Sequence, residues 1–244
     1  SEIFTSAWFW PKNPVFDGYN DAFKSYGGKI DLIKSMINTY KIVVPKVIFT
    51  LLSATLTAYG FARFNFKGKG IFFSLMISSL FLPQVVLNAP QYIMYNKWGW
   101  IDSYLPLTLP SLFAVDTYFV FMLVQFLRGV PRELEEAAKI DGANHFQIFW
   151  KILLPNTKSS MTTLGIYTFI SAWNNLIWML LSVRSEGKWT VTLGISSICG
   201  ASVIKQPTWN LIMGVIVIGM IPVLILFFAF QKYFMQSVAA TGIK

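Results

Sequence analysis

Charge is scarce in this chain of 244 residues: Asp, Glu, Lys and Arg make up 13% of it, against 55% hydrophobic residues. So few charges cannot clothe a water-soluble globule of this size, and an ordinary soluble domain is excluded. Cysteine is nearly absent, and Cys199 alone rules out an intramolecular disulfide and a thiolate metal cluster. His145 is the only histidine, which reads as a surface residue rather than a metal ligand or a catalytic base. A membrane enzyme would need a nucleophile, base or metal constellation, and none is apparent. A phosphate-cradling Gly-x-x-x-x-Gly-Lys-Ser/Thr is missing as well.

What the chain does have is long apolar runs, with a mean hydropathy of +0.54. A membrane-crossing helix needs about 20 consecutive apolar residues. Five windows qualify, at roughly 42–62, 71–95, 104–127, 161–183 and 211–230. The expected fold is an all-α, polytopic transmembrane helical bundle in contact with lipid. The formal charge of +9 does not point to nucleic acid, because Lys and Arg mostly flank the apolar windows in short loops. Basic residues divide ten to ten between the two sides, so loop charge alone does not orient the chain.

One segment combines fixed spacing with a physical rationale. Pro131 suits a first helical position, where its missing N–H is not needed. Glu133, Glu135 and Glu136 come next in the first turns, where the helix dipole favours carboxylates. Ala137 and Ala138 form helix readily and have little bulk, so another protein surface could approach closely. Gly142 can take the left-handed conformation that ends a helix. A second helix is then expected to run to Pro155, with Phe146, Phe149, Trp150 and Leu153 on one face. The product is a helix–turn–helix elbow between two spans. An amphipathic loop lying on lipid is the alternative, although it leaves the joint spacing of Glu136, Gly142 and Pro155 unexplained.

The residues Glu136-Ala137-Ala138, Gly142, Ile152, Leu154 and Pro155 match the fixed positions of a signature loop found in ABC-importer permeases. Similarity to the maltose-type carbohydrate permeases of that class extends along nearly the whole chain. It includes Ala58-Tyr59-Gly60-Phe61-Ala62-Arg63-Phe64, Pro83-Gln84, Gly99-Trp100-Ile101-Asp102-Ser103-Tyr104, Phe121 to Leu134, and Phe169-Ile170-Ser171-Ala172-Trp173-Asn174-Asn175. Trp100 and Met179 depart from the usual Leu and Pro.

The resemblance implies a permease subunit, without enzymatic activity or a cofactor of its own, in the bacterial cytoplasmic (inner) membrane. It would pair with a second, different permease. Two ATP-binding subunits would carry ATP and Mg, and an extracytoplasmic solute-binding protein would deliver a carbohydrate, an oligosaccharide by this likeness. Glu135, Glu136, Ala137, Ala138, Asp141, Gly142, Ala143, Phe146 and Pro155 would form the loop that docks into an ATPase subunit, on the cytoplasmic side. Residues 1–39 are expected to be an external segment following a missing first helix. Residues 40–244 would be the transmembrane domain, with the coupling loop at about 128–158 and six spans in a complete subunit.

Polar residues inside spans are candidates for the solute pathway, because each is costly in lipid unless it faces protein or water. Asp116 could accept hydrogen bonds from sugar hydroxyls, or pair with a neighbouring helix. Asn174 and Asn175, beside Trp173 and Trp178, offer amides and aromatic faces suited to sugars, or bridge helices. Gln84 and Asn88 form a second polar stripe near Pro83 and Pro90, which loosen the helix. Trp98, Trp100, Trp189 and Trp209 read as interfacial anchors. Two rivals stand: the same architecture carrying a polyol, glycerol phosphate or acidic oligosaccharide, and an ion-coupled secondary transporter.

Overall fold

A computed structural model describes residues 16–23, 31–201 and 209–242, and all regular structure among them is helical. Most of the expected external segment 1–39 lies outside the described residues. Its described parts are α1 (Asp17–Ala22) and the start of α2 (Leu32–Arg63), which begins inside that segment. Asp31 caps α2, its carboxylate accepting the Lys34 N–H at 3.1 Å, and the chain leaves the helix at Phe64 by turning extended. At 32 residues, α2 is about 48 Å long, enough to cross the hydrocarbon layer and project beyond it.

The window 71–95 is not one helix. It divides into α3 (Lys69–Ser79) and α4 (Gln84–Lys97), bent by 101° across the four residues between them. Pro83 sits at the bend in an extended conformation and has no N–H to continue the ladder. The window 104–127 holds α5 (Leu105–Thr108), a 3-10 turn over Leu109–Phe113, and α6 (Thr117–Gly129). Ala114 interrupts it with φ 53, a left-handed conformation uncommon outside glycine.

The amphipathic elbow comes next as α7 (Glu133–Ile140), α8 (His145–Ile148), a π-helical turn over Phe149–Leu153, and α9 (Leu154–Asn156). The window 161–183 is also divided, into α10 (Lys158–Trp173) and α11 (Ile177–Ser182). With 16 residues, α10 reaches only about 24 Å, short of a full crossing. An apolar helix not anticipated as a separate element, α12 (Val191–Ala201), precedes α13 (Trp209–Gly242). Among the described residues three stretches are long and apolar enough to cross a membrane, Leu32–Arg63, Leu105–Gly129 and Trp209–Lys232, or four if the bent pair counts as one.

α2 is the central strut. It packs on α6, α10 and α12, while α13 packs on α10 and α1. Gly18 and Gly214 allow the close approach of α1 to α13: a Cβ on Gly18 would come within 2.5 Å of the Asn210 carbonyl oxygen, and one on Gly214 within 2.8 Å of the Gly18 carbonyl oxygen. Many large apolar side chains remain exposed, among them Ile71, Phe72, Leu75, Ile225 and Phe228, as expected of helix faces solvated by lipid rather than water.

Candidate functional site

The elbow is built as its spacing predicts at the turn, and differently beyond it. Gly142 has φ 82, the Gly142 N–H bonds the Lys139 carbonyl at 3.0 Å, and the Ala143 N–H reaches back to the Ala138 carbonyl at 2.9 Å. These two bonds form a Schellman motif, which satisfies the last carbonyls of α7. A capping box opens α8: the Asn144 side chain accepts the Gln147 N–H, and the Gln147 side chain accepts the Asn144 N–H, both at 2.8 Å.

Past that point the four aromatic and apolar residues expected on one face separate. Phe149 and Leu153 are buried, whereas Phe146 and Trp150 are exposed. The π turn inserts one extra residue into the helix and so rotates the register of the residues after it.

The inner side of the elbow belongs to the same core as the spans. Ala138, Ile148, Phe149 and Leu153 cluster with Ala58, Tyr59 and Ala62 of α2 and with Leu123, Val124 and Leu127 of α6. Tyr59 lies against Phe149, ring centroids 5.0 Å apart, and donates to the His145 carbonyl at 3.4 Å. Arg63 ends α2 and holds the elbow at two points. Its Nη2 donates to the Val130 carbonyl at 2.7 Å, and its Nε pairs with Glu135 Oε1 at 2.5 Å. Both side chains of this pair are enclosed, at 5% and 10% exposure.

Of the expected docking residues, Glu135 and Ala138 therefore face inward. Glu136, Ala137, Asp141, Gly142, Phe146 and Pro155 lie on the exposed side, and Ala143 is half-buried. Ile140 joins the outer set at 87% exposure, beside Phe146 at 69%. Sequence reasoning did not single out Arg63 or Ile140. Arg63 ends a membrane-crossing apolar run, an ordinary place for an anchor, and nothing local marks Glu135 as its partner.

The pathway candidates separate into helix breaks. Asp116 is not mid-helix: it begins α6, directly after the Ala114 interruption, and its carboxylate accepts the Thr50 hydroxyl of α2 at 3.0 Å. Ser53, one turn along α2, donates to the Ser111 carbonyl at 2.6 Å. Thr117 and Ser79 lie hydroxyl to hydroxyl at 3.0 Å, so the bend between α3 and α4 meets the break before α6. Asn88 has a buried amide oxygen with no hydrogen-bond partner among the described residues. Gln84, exposed in the first turn of α4, reaches Gln91 at 3.4 Å.

Asn174 and Asn175 occupy the break after α10. The Asn174 N–H bonds the Ile170 carbonyl at 3.0 Å, and the Asn175 side chain caps α11 by accepting the Trp178 N–H at 3.2 Å. Trp173 offers no face to a ligand. Its ring is 3% exposed, stacked on Phe169 at 5.5 Å and met edge-on by Tyr40 at 5.3 Å. No bond among those described joins Asn174 or Asn175 to Asp116, Gln84 or Asn88. Thr50, Ser53, Ser79 and Thr117 went unnoticed in the sequence, although Thr50 and Ser53, three residues apart within an apolar run, formed a readable polar stripe.

At the opposite end of the molecule from the elbow, Asp102 ties two loops together. It adopts φ 59 and accepts the Ser185 hydroxyl at 2.5 Å, the Ser185 N–H at 2.9 Å, the Arg184 N–H at 3.0 Å and Lys188 Nζ at 3.1 Å. These donors, the Ser185 hydroxyl foremost, hold its carboxyl well below the usual carboxylate range. Asn38 of α2 fastens the same loop by donating to the Gly187 and Trp189 carbonyls at 3.0 and 3.1 Å.

Comparison with known proteins places this geometry. The family model described as the inner membrane component of binding-protein-dependent transport systems matches residues 46–240. The arabinooligosaccharides transport system permease protein AraQ of Bacillus subtilis (strain 168) is 31% identical over 234 residues, covering 96% of this chain and 80% of that protein. The sn-glycerol-3-phosphate transport system permease protein UgpE of Yersinia pestis is 33% identical over 207 residues, with 84% and 71% covered. The lactose transport system permease protein LacG of Rhizobium radiobacter is 28% identical over 217 residues, with 89% and 78% covered. Among solved structures, a chain of a bacterial ABC transporter involved in the import of the acidic polysaccharide alginate superimposes with a TM-score of 0.77 at 23% identity, covering 92% of this chain and 81% of that one. This last likeness concerns the fold.

Proposed function

Because this chain belongs to the family of inner membrane components of binding-protein-dependent transport systems, we propose that it is one permease subunit of an ABC importer for a carbohydrate, working beside a second, different permease. Two ATP-binding subunits supply the energy, with ATP and Mg held in those chains. An extracytoplasmic protein presents the solute.

The observation that carries this reading is the two-sided elbow. Its inner face is continuous with the core of α2 and α6, and its outer face exposes Glu136, Ala137, Ile140 and Phe146. A force applied to that outer face by a closing ATPase subunit reaches α2 and α6 without a compliant joint, since packed cores move as bodies rather than deform. The interruptions at Ala114, at Pro83 and after Trp173 are the places where helices can change their mutual angle. Asp116, Thr50, Ser79 and Thr117 would line the pathway at the first two of these, with Gln84 and Asn88 beyond the bend.

The class of cargo rests on the relatives, which are named for arabinooligosaccharides and lactose. A relative named for sn-glycerol-3-phosphate favours a second reading, a phosphorylated polyol. One experiment separates them. The complex co-purified with this chain is reconstituted in lipid, and ATP hydrolysis is measured with its binding protein loaded with each of a panel of sugars or with glycerol phosphate. Stimulation by one loaded form identifies the cargo, and loss of that stimulation in Gly142→Trp identifies the coupling loop. If no ATPase subunit co-purifies, the importer reading falls.

A further inference from the structure

Beside the elbow, on its membrane side, lies a cavity of about 580 Å³ that the transport reading does not use. Arg63, Lys69, Arg128, Arg132 and Glu133 line it, together with Gly129, Val130 and Pro131. Arg63 is neutralised by Glu135. Lys69 and Arg128 are not: Lys69 Nζ donates to the Phe64 carbonyl at 2.8 Å, and the Arg128 guanidinium lies 5.2 Å from the centroid of the Phe73 ring. Among the described residues no carboxylate pairs with Lys69, Arg128 or Arg132. Three cationic residues without a carboxylate partner thus line one polar hollow that holds the single carboxylate of Glu133. Like charges gathered this way repel unless an anion sits between them.

The position of the hollow selects the anion. It lies where α2 and α6 end and α3 begins, at the level where apolar helix gives way to the polar elbow. From Lys69, α3 leads away with Ile71, Phe72 and Leu75 exposed, an apolar strip contiguous with the basic hollow. A ligand with a phosphate at one end and acyl chains at the other satisfies both surfaces, whereas a free phosphate satisfies only the first. We propose that this cavity binds the headgroup of an anionic phospholipid, with its phosphate between Lys69 and Arg128 and its chains along α3. Such a site would fix the membrane depth of the α6–α7 junction, where the elbow starts.

The test uses the complete transport complex in detergent, examined by native mass spectrometry after addition of phosphatidylglycerol or phosphatidylcholine. Phosphatidylglycerol is expected to stay bound under conditions that strip phosphatidylcholine. Lys69→Gln combined with Arg128→Gln should weaken that retention about thirtyfold, the scale set by two surface cations. Arg128→Lys, which keeps the charge, should retain the lipid. Equal retention of the two lipids by the unaltered complex overturns the proposal, as does undiminished phosphatidylglycerol binding in the double variant. If millimolar inorganic phosphate displaces the lipid while glycerol-linked chains add nothing to affinity, the site is one for free phosphate and the lipid assignment falls. Release of the ATPase subunits from the double variant with lipid still bound would make the cavity a protein-docking surface instead, and would leave the transport reading standing.

Discussion

Arg63 and Glu135 form an enclosed ion pair, 2.5 Å from Nε to Oε1, that joins the last turn of a membrane-crossing helix to the first turns of the elbow. Taking one member away leaves the other charged and out of water, which costs about 3–5 kcal/mol in comparable buried pairs. Glu135→Ala and Arg63→Ala are each expected to lower the thermal stability of the purified complex sharply and to reduce its yield. Arg63→Met combined with Glu135→Leu should recover most of that loss, because no charge is then stranded. Recovery of Tm without recovery of sugar-stimulated ATPase would show that the pair transmits movement and does more than hold the fold. Single variants that match the parent in both Tm and ATPase would remove the pair from both roles.

Gly142 separates backbone strain from steric exclusion. Its φ of 82 is unfavourable for any residue with a Cβ, yet a Cβ built there meets nothing within 4 Å. Gly142→Ala should therefore cost only about 1–2 kcal/mol, from the left-handed conformation, and leave the chain able to assemble. Gly142→Asn should cost less, since Asn visits that region more readily. A Cβ at this position meets nothing of its own chain, so an effect of Gly142→Trp on ATPase coupling far beyond that of Gly142→Ala points to another protein meeting the turn. Pull-down of the ATPase subunits by each variant measures this, and a loss already complete in Gly142→Asn would refute the steric account.

The elbow was the most legible part of the chain because its determinants are local. A glycine after a small-residue helix, and carboxylates at its start, act within a few residues of themselves. The Asn144–Gln147 capping box was equally readable, as the pattern of an acceptor followed three residues later by Gln, and went unread. The breaks at Ala114 and at Asn174 were not legible, because hydropathy counts apolar residues and is blind to a backbone dihedral. Continuous apolar windows thus concealed two interruptions. The inward turn of Glu135 depends on Arg63, far back in the sequence, and the enclosure of Trp173 depends on Tyr40 of α2. Contacts of that kind exist only once the helices are packed.

Asp102 has its carboxyl pKa depressed in the folded protein. A group of this kind contributes stability that is fully present above its unfolded value, about 3.9, and that fades only as pH falls through the lower folded value. The clasp between Asp102 and Arg184 to Lys188 should consequently be insensitive to pH from about 5 to 8 and loosen only in stronger acid. Asp102→Asn keeps a residue tolerant of φ 59 but removes the charge facing Lys188. Hydrogen exchange at Arg184 and Ser185 is expected to rise in that variant at neutral pH, and to stay protected in the parent down to about pH 5. Exchange that accelerates in the parent near pH 6 would contradict the depressed value.

Asp116 can be assigned by asking what its partner needs. Thr50 donates to the Asp116 carboxylate at 3.0 Å, and an amide oxygen at the same place still accepts that bond, without its charge assistance. Asp116→Asn thus keeps a weaker link between α2 and α6 while removing the negative charge, and thermal stability should fall only slightly. If the carboxylate also meets solute hydroxyls at the break before α6, uptake measured below saturation should fall on the order of tenfold, the loss expected for one charge-assisted bond of about 1.5 kcal/mol. Thr50→Val makes the complementary change. It strips the carboxylate of its internal donor, and should lower Tm while leaving the apparent affinity for solute less affected than in Asp116→Asn. The opposite pattern, with Tm falling in both variants and uptake affinity constant, would make Asp116 a strut between helices and move the pathway to Asn88, whose amide oxygen has no donor among the described residues.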